Sequence, residues 1–443
     1  MLGLLGLVAT AGAEEFGSPS LLPLPNPTLE YPAAQVGLRQ PTVPNGAPSP
    51  SDRPPVVAAE PIAGDCPTQA PVSDYQQALN DGQCGDNYGA CNFTPSGYWF
   101  GSAGGLIMQT TGRNVLNTSI DTGNYNTVLS TNDTRMLQSG GFDGTIGRMF
   151  CGGCAGVMVN YWGVFPQQQS ASVDYTQVTG QLNSQIDFSP LSYNDTYVTN
   201  NLSYWFNNAR QHQLITSQSF NSVEINLIGN SCNGGLWGCS PWGCGTGACG
   251  VGCGGGACAP RLGYGWLGGI RYFNFNDNFL FRTDSFDKYW TGDPREVAYH
   301  VKTTNNLIGF QLGGGLNYRV INCFSVYGIG RAGIYNNHST QSQYFTGNIT
   351  PYETGGFYAG QNFAGSGSAN SLAFLGQIDL GGRYQFSKCL SVNAGYRLLG
   401  VSGVALTESQ IPRNFANLGS AQSVNHSYGL LLHGVYVGGA FCF

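Results

Sequence analysis

Residues 372–386 read LAFLGQIDLGGRYQF. The even positions hold Leu372, Phe374, Ile378, Leu380, Tyr384 and Phe386, and the odd positions include Gln377, Asp379, Arg383 and Gln385. A repeat of two puts successive side chains on opposite faces of an extended chain, so this stretch has one apolar and one polar face. Residues 390–399 repeat the pattern, with Leu390, Val392, Ala394, Tyr396 and Leu398 opposite Ser391, Asn393 and Arg397. So do 308–319, where Gln311, Asn317 and Arg319 oppose Ile308, Phe310, Leu312, Leu316 and Tyr318, and 219–229, where Glu224 and Asn226 oppose Val223, Ile225 and Leu227. Weaker forms occur at 98–108, 142–150, 156–164, 263–275, 325–336 and 428–443. Most of these ten segments are near the roughly 9–11 residues that carry a tilted strand across a bilayer.

The composition agrees. Glycine is 66 of 443 residues, charged residues only 9%, and aromatics 12%. Asn, Gln, Ser and Thr stand where a soluble surface would carry Lys and Glu. Beyond the N-terminus no apolar run approaches the roughly 18 residues of a spanning helix. A barrel needs no such run, because its strands interleave lipid-facing and lumen-facing residues. The net charge of −6, without a basic run, argues against nucleic acid as a partner.

The spacing of the segments adds a direction. Long gaps at 110–139, 165–218, 276–299, 338–370 and 400–426 alternate with tight turns at 151–154, 322–324 and 387–389, broken by a Gly/Cys-rich insertion at 230–261. Outer-membrane barrels carry long loops outside the cell and short turns in the periplasm. The expected fold is therefore an all-β, antiparallel transmembrane barrel of about ten strands (8–12), spanning 96–443, with both termini in the periplasm.

Ahead of the barrel, residues 1–13 read as a signal peptide: Leu2 to Val8 give a short apolar core, and Ala11-Gly12-Ala13 a small-residue cleavage site. No Lys or Arg precedes Arg39, which points to a start upstream of Met1 or mis-assigned. Residues 14–95 form a proline-rich periplasmic arm, with 14 of the 22 prolines between Pro19 and Pro71. Proline stiffens the chain and removes backbone donors, so the arm builds no core. At the other end, Phe441 and Phe443 close an alternating strand, a C-terminal aromatic signature of the kind read by the barrel-insertion machinery.

Fourteen cysteines behind a signal peptide imply an oxidising compartment. Cys66, Cys84 and Cys91 precede the first strand, and Cys151 and Cys154 form a turn. Cys232, Cys239, Cys244, Cys249, Cys253 and Cys258 share the insertion, Cys323 and Cys389 mark turns, and Cys442 ends the last strand. This threading puts all of them at the periplasmic end. CGGC at 151–154 has no helix N-terminus to activate a thiol, and the insertion lacks the His and spacing of a zinc site. Structural disulfides are the expected role, within the chain or to neighbouring envelope proteins, with redox or metal chemistry the weaker alternatives.

The hairpin pattern resembles the Putative beta barrel porin-7 family, outer-membrane barrels of planctomycete-type bacteria. The resemblance rests on SFNSVEINL (219–227), LGYGWLGGIRYF (262–273), NNLIGFQL (305–312), RAGIYNN (331–337) and GYRLL (395–399), and covers roughly 95–443. It implies the barrel fold more than a particular activity.

No nucleophile elbow, phosphate loop or HExxH appears. His338 and His426 with loop acids could imitate a rim hydrolase, but spacing does not select them, nor His212, His300 or His433. The expectation is a protein without catalytic residues, metal or cofactor, in contact with outer-membrane lipid. Alternation sends Glu224, Arg271, Gln311, Asn317, Arg319, Arg331, Gln377, Asp379, Arg383, Asn393 and Arg397 into the lumen. Five Arg against two acids read either as a pore lining that favours small anions or as a salt-bridged plug. Ten strands lie just above the eight that side chains fill completely. Two functions follow: a narrow porin-like channel for small hydrophilic solutes, or a structural, surface-interacting barrel with a filled lumen and a disulfide-crosslinked periplasmic face.

Overall fold

The computed structural model describes residues 97–443, apart from 151–154, 195–198, 231–235, 238–260, 293–294, 322, 348–350, 355–358, 388–389, 413 and 417. The expected signal peptide and arm lie outside the described residues, and so does nearly all of the Gly/Cys-rich insertion.

Ten strands close into one antiparallel barrel. In chain order they are β1 Tyr98–Thr111, β2 Ser139–Phe150, β3 Ala155–Asp174, β4 Gln211–Asn230 and β5 Leu262–Asp284. They continue with β6 Glu296–Ile321, β7 Phe324–Gly347, β8 Ala364–Gln385, β9 Leu390–Val404 and β10 Tyr428–Cys442. Each pairs with the next, and β10 returns to β1, with Val435 opposite Ile107 and Phe441 opposite Gly101. Trp99 and Phe443 exchange backbone hydrogen bonds of 2.8 and 3.0 Å at the seam. Closure leaves no strand edge unpaired, which hydrocarbon demands of any spanning sheet. All ten expected strands are present, in the expected order.

The strands are longer than the apolar alternation indicates. Much of the expected loops 165–218, 276–299 and 338–370 is strand: β3 runs on to Asp174, β5 to Asp284 and β7 to Gly347. The reason is visible along β6. From Ile308 to Val320 the large apolar residues sit at even positions and face outward, with Phe310 and Leu312 both 75% exposed. That span is roughly 30 Å tall at strand rise and tilt, the thickness of a bilayer core. Beyond it, toward the long loops, parity reverses. Val297, Tyr299, Val301 and Leu307 occupy odd positions and are fully buried inside, while Lys302 faces out. β5 switches likewise, from outward Tyr264, Trp266 and Ile270 to inward Phe273, Phe275, Phe279 and Phe281. Within lipid the apolar face points out; in water it points in. A search for one continuous apolar face stops at the crossing.

Two three-stranded sheets join the extensions at the long-loop end. One contains Asn117–Asp121, Asn126–Ser130 and Leu182–Ser184, the other Leu191–Asn194, Thr199–Asn201 and Tyr352–Glu353. Beneath them lies an aromatic cluster: Phe188 stacks on Phe206 and Phe415 at 4.2 and 5.1 Å, and Tyr299 on Phe345 at 4.9 Å. At the opposite end are the short turns. Cys323 and Cys442 lie there, beside the starts and ends of strands; Cys66, Cys84, Cys91, Cys151, Cys154, Cys232, Cys239, Cys244, Cys249, Cys253, Cys258 and Cys389 lie outside the described residues. Phe441 and Phe443 stack at 5.9 Å on the outer surface of the seam.

Candidate functional site: the charged layer across the lumen

Midway along the lipid-facing band, inward positions of neighbouring strands meet in one layer. Arg397 on β9 is its pivot. Its Nη1 lies 2.7 Å from Asp143 Oδ2 on β2, and its Nε donates to Asp379 Oδ1 on β8 at 2.7 Å. Asp379 also pairs with Arg331 Nη2 on β7 at 3.3 Å. Arg331 Nη1 reaches Glu224 Oε1 on β4 at 3.2 Å, and Glu224 also faces Arg271 Nη1 on β5 at 3.5 Å. The order Asp143–Arg397–Asp379–Arg331–Glu224–Arg271 alternates in sign and sums to zero. Because β2 and β9, and β4 and β7, are not neighbours, the chain of charges crosses the lumen instead of following the wall.

Side-chain amides add hydrogen bonds to the two central carboxylates. Gln311 Nε2 and Asn226 Nδ2 donate to Glu224 Oε2 at 2.7 and 3.2 Å, and Gln377 Nε2 donates to Asp379 Oδ2 at 2.8 Å. Trp162 lies between two guanidinium groups, Arg271 at 5.8 Å and Arg397 at 5.5 Å from its ring, in cation–π contact. Glu224 and Arg271 are 0% exposed. Charges so far from water persist only when each has a partner, and here partners come from six strands.

Of the residues expected to face the lumen, Glu224, Arg271, Gln311, Arg331, Gln377, Asp379 and Arg397 are brought together in this layer. Arg383 and Asn393 line a cavity of about 140 Å³ between the layer and the short-turn end. Asn317 and Arg319 lie half-buried on β6, farther toward the turns and outside the layer. Asp143, Asn160 and Trp162 were not expected. Their strands, β2 and β3, alternate weakly, but outward Phe142, Ile146, Val157 and Val159 place those three inward by the same parity rule. Asp143 changes the charge count: it balances the third arginine of the layer and leaves Arg319 and Arg383 as the surplus.

Above the layer the lumen continues closed. Phe220 and Phe275 stack at 4.7 Å among Met108, Leu307, Leu375, Leu399 and Leu432. Higher still, the segment after β9 turns inward. Asp277 accepts from Arg113 Nη2 (2.7 Å), Gln218 Nε2 (3.1 Å), and Thr407 N and Oγ1 (3.0 and 2.8 Å). Arg113 also pairs with Glu408 at 2.6 Å. Burial and the nearby Asp277 charge hold the Glu408 carboxyl above its usual range, although Arg113 opposes them. Asn305 both donates to and accepts from the Ala405 backbone, at 2.8 Å each, while Gln341 and Gln343 donate to backbone carbonyls of Ala421, Ser423 and Gln410. Barrel-wall amides thus hold an irregular segment by its backbone, supplying the partners that a buried loop lacks.

Residues 105–428 match the family described as Putative beta barrel porin-7 (BBP7). The chain belongs to this family. It is accordingly a porin-like outer-membrane β-barrel. Among solved structures, the outer membrane protease OmpT from Escherichia coli aligns at 9% identity and a TM-score of 0.36, covering 80% of this chain and 100% of the protease. A major outer membrane protein from Thermus thermophilus aligns at 8% identity and 0.29, covering 79% and 100%. Likenesses at this level say nothing of activity. No curated protein matches the sequence.

Among the described residues the rim of this BBP7 protein holds one nucleophile-like pair. Ser119 Oγ and His212 Nδ1 lie 2.8 Å apart, but both residues are 0% exposed, so no substrate reaches them. Burial pushes the His212 imidazole down to about 3. Among the described residues neither His338 nor His426 joins an ion pair; His338 Nδ1 faces Asn370 Oδ1 at 3.0 Å.

Proposed function

We propose that this protein is a closed, non-conducting outer-membrane barrel that acts as a structural and surface-presenting element of the envelope. The observation that carries the reading is the alternating, fully paired chain of six charges spanning the lumen. Moving an ion through it would mean separating buried pairs, each break costing about 3–5 kcal/mol. The apolar packing above it and the inward-folded segment after β9 support the same reading. The family name implies passage of solutes, but the filled interior favours a plug over a pore.

In this proposal the short turns and the arm face the periplasm, and the long loops, with their two small sheets, face outward. The position of Cys323 and Cys442 at the short-turn end is compatible with a crosslinked inner face. Its partners are the surrounding lipid, the insertion machinery through Phe441 and Phe443, and other chains through cysteine.

The test is purified protein in a planar bilayer, its folding checked by heat-modifiable migration. Electrical silence from well-inserted protein is the expected result. Stepwise conductance whose ion selectivity changes in Arg331→Ala would refute the closed barrel and establish a narrow channel. Cleavage within 175–209 by protease added outside whole cells checks the orientation.

A further inference from the structure

Between the charged layer and the short turns the barrel is not completely filled. The cavity of about 140 Å³ there is lined by apolar Phe100, Met158, Ile329 and Trp237 and by polar groups, some of which the layer leaves unused. Trp237 is fixed in place: its Nε1 donates to the Trp266 carbonyl at 3.1 Å, and Asn230 Oδ1 accepts from its backbone N–H at 2.9 Å.

The charge balance of the wall is uneven. Arg331, Arg383 and Arg397 line the cavity together with Asp143 and Asp379. Arg397 engages both carboxylates and Arg331 engages Asp379 as well, so neither acid is available to Arg383. Among the described residues Arg383 makes no ion pair. Its guanidinium lies over the Tyr327 ring at 5.6 Å, and its Nε is buried without a hydrogen-bond acceptor. Directly across in register stands Asn393, whose Oδ1 is also buried without a partner. On the short-turn side of the layer, no inward position of the described residues carries Asp or Glu. A cation in such a setting, half-removed from water and facing an empty polar corner, is short of one acceptor-bearing negative charge.

The space limits what can supply it. A cavity near 140 Å³ approaches the roughly 150 Å³ of an engineered apolar cavity that holds benzene. Inorganic anions would leave the apolar wall uncovered, and a neutral ring would leave Arg383 unsatisfied. We infer that this vestibule is a binding site for a small organic monocarboxylate, with a ring-sized apolar body against Phe100, Ile329 and Trp237 and its carboxylate on Arg383. Few convergent polar groups in a mainly apolar pocket are what orient such ligands. Arg383 and the apolar lining lie on the short-turn side of the charged layer, so the site stands whether or not the barrel conducts.

The probe is sodium benzoate, titrated calorimetrically into the full-length protein in detergent, with heats from empty micelles subtracted. Saturable binding is expected, at least tenfold tighter than that of acetate or of the neutral isostere benzyl alcohol. Loss of a charge-assisted hydrogen bond weakens binding by roughly tenfold or more, so Arg383→Gln should lower benzoate affinity by that factor. Arg319→Gln, one inward charge outside the cavity wall, should leave it unchanged. No saturable benzoate binding to heat-modifiable protein would overturn the inference. So would equal affinity for benzyl alcohol, which needs no variant to fold, or an unaltered affinity in Arg383→Gln.

Discussion

Glu224→Gln is the most direct perturbation of the plug. Glu224 is 0% exposed and faces Arg331 at 3.2 Å and Arg271 at 3.5 Å. At an effective dielectric of about 20, each pair is worth about 5 kcal/mol of gross attraction. Removing the charge also removes the cost of holding a carboxylate out of water, several kcal/mol. The amide keeps the shape and one acceptor oxygen, but it leaves three arginines against two acids in the layer. The net loss should therefore be about 3–5 kcal/mol, the range for breaking a buried ion pair from one side. Urea unfolding in lipid vesicles, followed by tryptophan fluorescence and gel migration, measures it. A double variant, Glu224→Leu with Arg271→Met, should recover much of the loss, because Arg331 and Arg397 stay paired with Asp379 and Asp143 and the apolar side chains carry no desolvation cost. If Glu224→Gln unfolds within about 1 kcal/mol of the native protein, the layer is not a dry ionic lattice, and the argument for a closed lumen fails with it.

Other outcomes follow from the long-loop end. His212 is held neutral, with its pKa pushed down to about 3 against an ordinary value near 6.5. The unfolded chain therefore takes up the proton first. The contribution is complete above about pH 6.5 and is lost as pH falls toward 3, by at most about 5 kcal/mol. His212→Gln should flatten the fall in urea midpoint between pH 6.5 and 4; an unchanged slope would show that the imidazole is not sealed from water. Asp277→Asn should release the segment after β9, costing about 2–4 kcal/mol and exposing 405–425 to protease while the barrel still migrates as folded. Cleavage no faster than in the native protein would mean that the segment is held elsewhere.

Why the barrel was legible is clear from β8 and β9: one face meets lipid and the other a polar layer, so Leu372, Phe374, Ile378 and Leu380 declare themselves against Gln377, Asp379 and Arg383. The glycine-rich strands were harder. On β6, Gly314 stands in the outward row, and the Gly265 carbonyl oxygen lies 2.8 Å from where its Cβ would be, so the apolar row is interrupted by close approach of the neighbouring strand. The candidate site was legible as a set of inward residues but not as a circuit. Glu224 and Arg331 stand 107 residues apart on strands that do not touch, and only closure of the ring lets them meet. Arg113 and Glu408, 295 residues apart and outside the strands, belong to no alternation at all.

The reversal of apolar parity along β5 and β6 also works as a waterline. Were the barrel to sink toward its short turns, the outward Asn274, Asn276 and Lys302 would enter hydrocarbon. Were it to rise, Ile308, Phe310 and Leu312 would meet water, at about 1.5–3 kcal/mol for each large side chain. The height at which this molecule floats is therefore written into it twice, once from each side, and a bilayer of the wrong thickness must bend to meet the protein.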